Sequence, residues 1–220
     1  MLDLLGFAAP IIGAAGIIGA VFAFAFRWHV RRSKQLSALA GRMGFFYERD
    51  GPAWMLEGFA GFELFGQGSS RRFHHVLKGR MAAGQILLFD YEYTVGSGKN
   101  SSTYYQTVFA LETPGRELPA FSLAPETFSD KLFSLFGSQD IDFEEFPAFS
   151  KAYLLRGKDE SAVRALFAPR ALREFESRPG FFVEGAGGWL MFYKSDAAVS
   201  VDKLETFFSE GAAVCASLSH

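Results

Sequence analysis

From Leu4 to Phe26 the chain runs 23 residues without a charged side chain, with Asp3 before the run and Arg27, Arg31, Arg32 and Lys34 after it. A helix of that length, rising about 1.5 Å per residue, crosses a hydrocarbon core of about 30 Å. Clustered cations stay on the cytoplasmic side of a membrane. The pattern therefore predicts a single-pass inner-membrane protein with its anchor bounded by Leu4 and Phe26. Arg27, Arg31, Arg32 and Lys34 are its topology cations, Met1 lies outside, and everything after Arg27 is cytoplasmic. A cleaved signal peptide would carry a basic leader and an apolar core of about 7–15 residues. Here the only preceding charge is Asp3 and the core is longer, although Ala23-Phe24-Ala25 has the form of a cleavage site. The small pairs Ala9/Gly13, Ala15/Gly19 and Gly16/Ala20 suit close packing of two such helices, so self-association is one expectation.

Beyond the anchor and its basic flank (1–35), residues 36–220 are enough for one generous domain or two small ones. This part holds 22 of the 26 phenylalanines. Most fall at strand or helix spacing, which points to an aromatic core; an apolar groove or a lipid-resting surface is the alternative. The single Cys215 excludes an intrachain disulfide and a multi-cysteine zinc site. Residues 27–80 carry ten Lys/Arg against four Asp/Glu, and residues 81–220 carry twelve against nineteen. A basic region next to an anchor suits contact with anionic lipid. No basic excess of the kind nucleic acid requires is present.

The expected fold class is α+β, a mainly antiparallel sheet packed with helices. Residues 33–43 read as a short helix stopped at Gly44, followed by strand-like runs at Phe45–Glu48 and Phe62–Gly66. Phe73–Arg80 and Gln85–Val95 form a hairpin, and Thr103–Glu112 is the next strand. In the central strand Leu87, Phe89, Tyr91, Tyr93 and Val95 line a buried face, leaving Leu88, Asp90, Glu92 and Thr94 on the other. Helices are expected at Pro125–Phe136, from near Asp159 with a break at Pro169, and from Val201 to about Leu218. A second hairpin pairs Phe181–Glu184 with Trp189–Lys194. Leu118-Pro119-Ala120-Phe121-Ser122 recurs as Phe146-Pro147-Ala148-Phe149-Ser150, which raises the possibility of two related α+β units with a boundary near 137–146.

Four groups of residues have the composition of chemistry. Gly96-Ser97-Gly98-Lys99 resembles part of a phosphate loop, but Tyr93 stands at the first glycine position and Asn100 follows the lysine, so a hairpin loop is expected. His74 and His75 are adjacent in a strand and should point to opposite faces, which supports no metal site. Asp140, Asp142, Glu144 and Glu145 concentrate carboxylates that would suit a hard cation. The spacing fails an EF-hand, and a solvated turn or an ion-pair partner for Arg156 or Lys158 is the simpler reading. Asp90 and Glu92 share the polar face of the central strand, where paired carboxylates can act as acid and base if their surroundings separate them.

The strings FDYEYTVGSGK (89–99), YYQTV (104–108), LPAFSLAPE (118–126), DIDF (140–143) and FSKAYLLRGKDESAVRALF (149–167) resemble a bacterial family of single-pass membrane-anchored proteins. That resemblance implies the topology already argued and brings no activity, ligand or catalytic residue. The expected function is a membrane-anchored cytoplasmic module that binds a protein partner, itself or the membrane surface, without cofactor or nucleic acid. The alternative is a membrane-tethered enzyme acting on a lipid-derived or phosphorylated substrate through Asp90, Glu92 or the Asp140/Asp142 cluster.

Overall fold

Eight antiparallel strands form one sheet, and period-two alternation along its central strands feeds two separate cores. The structure, a computed structural model, describes residues 27, 30–128, 140–194 and 198–218. Its elements are α1 (30–43), β1 (Phe46–Asp50), α2 (Trp54–Gly58), α3 (Glu63–Gly66), β2 (Ser69–Met81), β3 (Gly84–Val95), β4 (Ser102–Glu112) and β5 (Leu118–Pro125). They continue with α4 (Pro147–Ala152), β6 (Tyr153–Gly157), α5 (Glu160–Leu166), α6 (Pro169–Ser177), β7 (Phe182–Gly187), β8 (Trp189–Tyr193) and α7 (Leu204–Ser217). The sheet order is β1-β2-β3-β4-β8-β7-β5-β6.

Ile86 and Leu88 of β3, Phe109 and Leu111 of β4, and Leu190 and Phe192 of β8 pack on one side with α1, α4, α5, α6 and α7. Leu87, Phe89, Tyr91 and Tyr93 of β3, with Val108, Ala110, Met191 and Tyr193, pack on the other side with α2 and α3. The phenylalanines fill both cores: Phe59, Phe65, Phe89, Phe109, Phe121 and Phe149 are all buried. On the smaller side Phe59, Phe65, Phe73 and Phe89 meet ring to ring at centroid distances of 5.3–6.3 Å.

Local signals explain most boundaries. The Asp159 carboxylate accepts from Ala162 N at 3.0 Å and starts α5; Pro169 occupies the first turn of α6, where its missing N–H is harmless. The β3–β4 connection makes a 3-10 turn at Gly98–Asn100, with Gly96 and Gly98 at φ of +89° and +58°. Only glycine adopts such angles without strain, and the phosphate-loop-like string is a hairpin loop.

Four expectations change. Phe62–Gly66 is not a strand: Glu63–Gly66 form a one-turn helix, because Phe62, Leu64 and Phe65 all turn into the aromatic core and Glu184 accepts from the Glu63 and Leu64 N–H groups. The two copies of the repeated string differ, Leu118–Pro125 being a strand and Pro147–Ala152 a helix. One sheet runs through both halves, β5 pairing with β6 and β7, so the two segments do not mark two separate units. The face of β3 expected to be polar is covered: Leu88 and Asp90 are buried. Finally, the folded body begins before the expected boundary at 36, since α1 is helical from residue 30 and Arg32 is buried.

The expected anchor, Leu4–Phe26, and the bulk of the helix expected at Pro125–Phe136 lie outside the described residues, except that Pro125 closes β5. Among the described residues no helix is long and apolar enough to cross a membrane.

Candidate functional site

Arg32, Leu36, Leu39 and Ala40 recur at helical spacing on the inner face of α1, and all four are buried. Arg32, 6 % exposed, is aimed at the centre of β3. Its Nε donates to Asp90 Oδ2 at 2.7 Å and its Nη2 to Asp90 Oδ1 at 2.8 Å, a two-pronged guanidinium–carboxylate pair. Nη1 donates to the Val199 carbonyl at 2.9 Å. Thr107 of β4 donates its hydroxyl to Asp90 Oδ1 and accepts from Val199 N, both at 2.8 Å. Four parts of the fold thus meet on one carboxylate: α1, β3, β4 and the segment leading to α7. A second chain runs parallel to it. Ser33 of α1 meets the Tyr47 hydroxyl at 2.8 Å, and that hydroxyl meets His75 Nδ1 at 2.8 Å. Burial pushes the Tyr47 phenol up.

This arrangement separates the sequence candidates. Arg32 differs from the other topology cations: Arg27, Arg31 and Lys34 are exposed, whereas Arg32 is a structural ion-pair partner. Asp90 is held by Arg32 and Thr107 as part of this buried junction. Glu92, two residues along, instead faces His74, with Nε2 3.2 Å away; His74 Nδ1 lies 3.8 Å from Asp50 on β1. Burial, and secondarily Glu92, pushes up the Tyr105 phenol. The histidines do not point to opposite faces. A bulge between His74 and Leu77, with His75 at φ +54°, brings both to the α1 side with ring centroids 6.3 Å apart. His74 also borders a hollow of about 230 Å³ with Asp50, Leu56, Arg71 and Arg72.

A larger cleft of about 580 Å³ lies between α1 and residues 198–202, walled by Arg31, Arg32, Gln35, Arg42, Ser200 and Asp202. Its cations are balanced: Arg32 holds Asp90, Arg42 lies 3.4 Å from Glu205, and Asp202 stands in the wall. It has no excess charge with which to hold an anion.

The acidic turn lies at the opposite end of the sheet order and does not join Asp90 and Glu92. Asp140 Oδ1 accepts from Ile141 N at 2.9 Å and from Leu155 N at 2.8 Å, so it ties the turn to β6. Burial raises the Asp140 carboxyl against the lowering pull of those two donors. Asp142 offers its backbone carbonyl to Arg164 Nη1 at 2.7 Å, and the same guanidinium lies over the Phe143 ring and beside Glu160. Among the described residues no group of three His, Cys, Asp or Glu is placed to hold a metal ion.

Sequence reasoning missed Glu184. It sits on β7 inside the aromatic core and accepts from Glu63 N at 2.5 Å, Leu64 N at 3.1 Å and the Tyr193 hydroxyl at 2.7 Å. Burial pushes its carboxyl up to about 7, the three donors opposing. Its one signal in the sequence is a lone acid between Val183 and Gly185 in a strand that is otherwise apolar. The Arg32–Asp90 pair was legible only in part: Arg32 is in helical phase with Leu36 and Leu39, but its partner is 58 residues away.

The described body is therefore an α+β domain with helices on both faces of an antiparallel sheet and an entering helix locked into it by a buried ion pair. A solved structure shares this fold. The chain is similar to the crystal structure of the mycobacterial trehalose monomycolate transport factor A, TtfA, with a TM-score of 0.59 and 12 % identity, covering 86 % of this chain and 92 % of that one. At that identity the likeness establishes the fold alone. No protein-family model and no curated protein matches the chain.

Proposed function

We propose that this chain is a single-pass inner-membrane protein, N-terminus outside, whose cytoplasmic α+β body is a non-enzymatic binding module of a membrane assembly. The observation that carries the reading is the junction between tether and body. The helix that follows the apolar stretch belongs to the body: Arg32, Ser33 and Leu36 build it into the sheet within ten residues of Phe26. A body whose first helix is built into its sheet so few residues after the apolar stretch suits a part that presents one surface to a membrane partner. The fold shared with a transport factor agrees with such a role. The test is affinity purification of the full chain from gently solubilised native membranes, with the same anchor fused to an unrelated domain as control. A stoichiometric protein partner absent from the control supports the reading. Recovery of a bound lipid, nucleotide or metabolite without any protein partner overturns it.

One observation favours a second reading, a tethered enzyme acting on a lipid-derived or phosphorylated substrate. His74 lies between Glu92 and Asp50 beside a hollow edged by Arg71 and Arg72, an acid–base group near cations that suit a phosphate. Asp90 and the Asp140/Asp142 turn take no part in it. Turnover of a candidate phospholipid or phosphoester that is abolished in His74→Ala would establish this reading. Turnover equal to that of the native chain would remove it.

A further inference from the structure

The direction of α1 decides which end of the sheet faces the bilayer, given the tether reading above, on which this inference rests. The start of α1 is fixed at Asp90 by Arg32, and its end is fixed near Ile86: Phe45 N bonds to Ala40 O, and the Phe45 ring covers Gly79, the register partner of Ile86. So α1 enters from the Asp90 end and runs toward the Ile86 end. β3 runs the opposite way and continues past Asp90 to Val95 and the β3–β4 hairpin.

Reach makes this quantitative. Six residues separate Arg32 from Phe26, and even a fully extended chain covers at most about 21 Å in six steps. The hydrocarbon boundary, if it begins at Phe26, is therefore within about 21 Å of the Asp90 level. Over the same side of Asp90, β3 advances five residues to Val95, about 17 Å at strand rise, before the hairpin loop adds its own length. The headgroup layer extends roughly 5–7 Å out from the hydrocarbon. The hairpin end is therefore within reach of that layer.

The side chains at this end fit it. Neither Leu64–His74 nor Tyr93–Gln106 contains an Asp or Glu, and Arg71, Arg72 and Lys99 are exposed there. Tyr105, 40 % exposed, adds an aromatic with a polar tip, the kind of side chain that settles at a headgroup layer. The nearest carboxylates are engaged, Glu92 by His74 and Asp90 by Arg32. At the far end of β2 Lys78 is paired with Glu48 at 2.8 Å and Arg80 alone of that strand end is an exposed cation, against three at the hairpin end. We infer that the β3–β4 hairpin, with the start of β2 at Ser69–Arg72, is a bilayer-facing edge that rests on the anionic phosphate headgroups of the cytoplasmic leaflet. The opposite end, at the Met81–Gly84 turn, and the α2–α3 face remain turned to the cytoplasm for a partner.

The test uses the full chain in lipid nanodiscs containing phosphatidylglycerol and a headgroup-attached quencher. A fluorophore is placed at Ser101→Cys on the hairpin or at Ala83→Cys on the opposite turn. Both positions are exposed, and Cys215 is buried with its thiol pushed up by burial, so only the new thiol reacts. The Ser101 probe should be quenched and the Ala83 probe should not. Replacing Arg71, Arg72 and Lys99 together by Glu should lower the ratio of docked to undocked hairpin on the order of 100-fold or more, at a few-fold per cation near an anionic surface. Equal quenching of the two probes overturns the inference, as does equal quenching of the Ser101 probe in zwitterionic discs. An alkaline wash separates this from failure of the tether. A chain that resists extraction but shows no contrast between probes overturns the edge alone, whereas a chain that is extracted overturns the tether and the edge with it.

Discussion

Breaking the Arg32–Asp90 pair from one side should be far more damaging than removing both halves. In Asp90→Asn the guanidinium of Arg32, 6 % exposed, keeps the Val199 carbonyl but loses the Asp90 carboxylate. Removing one partner of a buried ion pair costs about 3–5 kcal/mol. That is a large share of the roughly 5–15 kcal/mol by which a domain is stable. Arg32→Met leaves the Asp90 carboxylate with only the Thr107 hydroxyl and should cost a similar amount. The double variant Arg32→Met/Asp90→Leu removes both charges of the pair. Thr107 still accepts from Val199 N but loses the acceptor for its own proton, so this variant should lose only about 1–2 kcal/mol. The assay is denaturant unfolding of the full chain in a fixed detergent, with hydrogen exchange over α1 as a local readout. The singles should shift the midpoint strongly and expose α1, and the double should restore most of both. Single variants that each cost under about 1 kcal/mol, the range of solvated surface pairs, would refute the reasoning. So would a double variant whose loss equals the sum of the singles.

Three further outcomes follow from particular residues. The Glu184 carboxyl has a folded-state value raised from 4.5 to about 7, so its contribution is fully present below about 4.5 and is lost as pH rises through 7. The loss amounts to about 3 kcal/mol. Urea midpoints at pH 4.5 and 7.5 should therefore converge in Glu184→Gln relative to the native chain, and an unchanged difference would show that other groups set the slope. Gly211→Ala should destabilise despite a gain of about 1 kcal/mol in helix propensity, because a Cβ there would fall 2.8 Å from Phe109 and 3.1 Å from Phe192. A raised melting temperature would mean that the rings give way. Asp140→Ala should loosen β6 by removing the acceptor of Ile141 N and Leu155 N, at about 1–3 kcal/mol, while Asp140→Asn, whose amide oxygen still accepts, should cost less. Exchange of the Leu155 amide reads the difference directly.

Much of the fold was legible because strands and helices announce themselves through local periodicity. The alternation of Ile86 to Val95 placed β3, Gly96 and Gly98 placed its hairpin loop, and Asp159 and Pro169 placed the starts of α5 and α6. Errors arose where a distant partner overrode a local pattern. Phe62–Gly66 alternates like a strand, yet Glu184, 121 residues from Glu63, caps it as a helical turn. The segments at Leu118 and Phe146 share a motif, yet one pairs in the sheet and the other winds into α4.

The sequence by itself determined the charge-free run at Leu4–Phe26, the basic flank after it, the α+β class and an aromatic core, because each depends on composition or on spacing within a few residues. Tertiary structure alone decided which charges are free. Arg31 and Arg32 are neighbours in the chain, but the helical turn sends Arg31 to solvent and Arg32 onto Asp90. Glu92 and Asp90 share a strand face, but Arg32 meets Asp90 whereas His74 meets Glu92. Whether a charged side chain titrates, anchors a helix or meets a lipid depends on what lies opposite it, and what lies opposite is set by contacts between residues far apart in the chain.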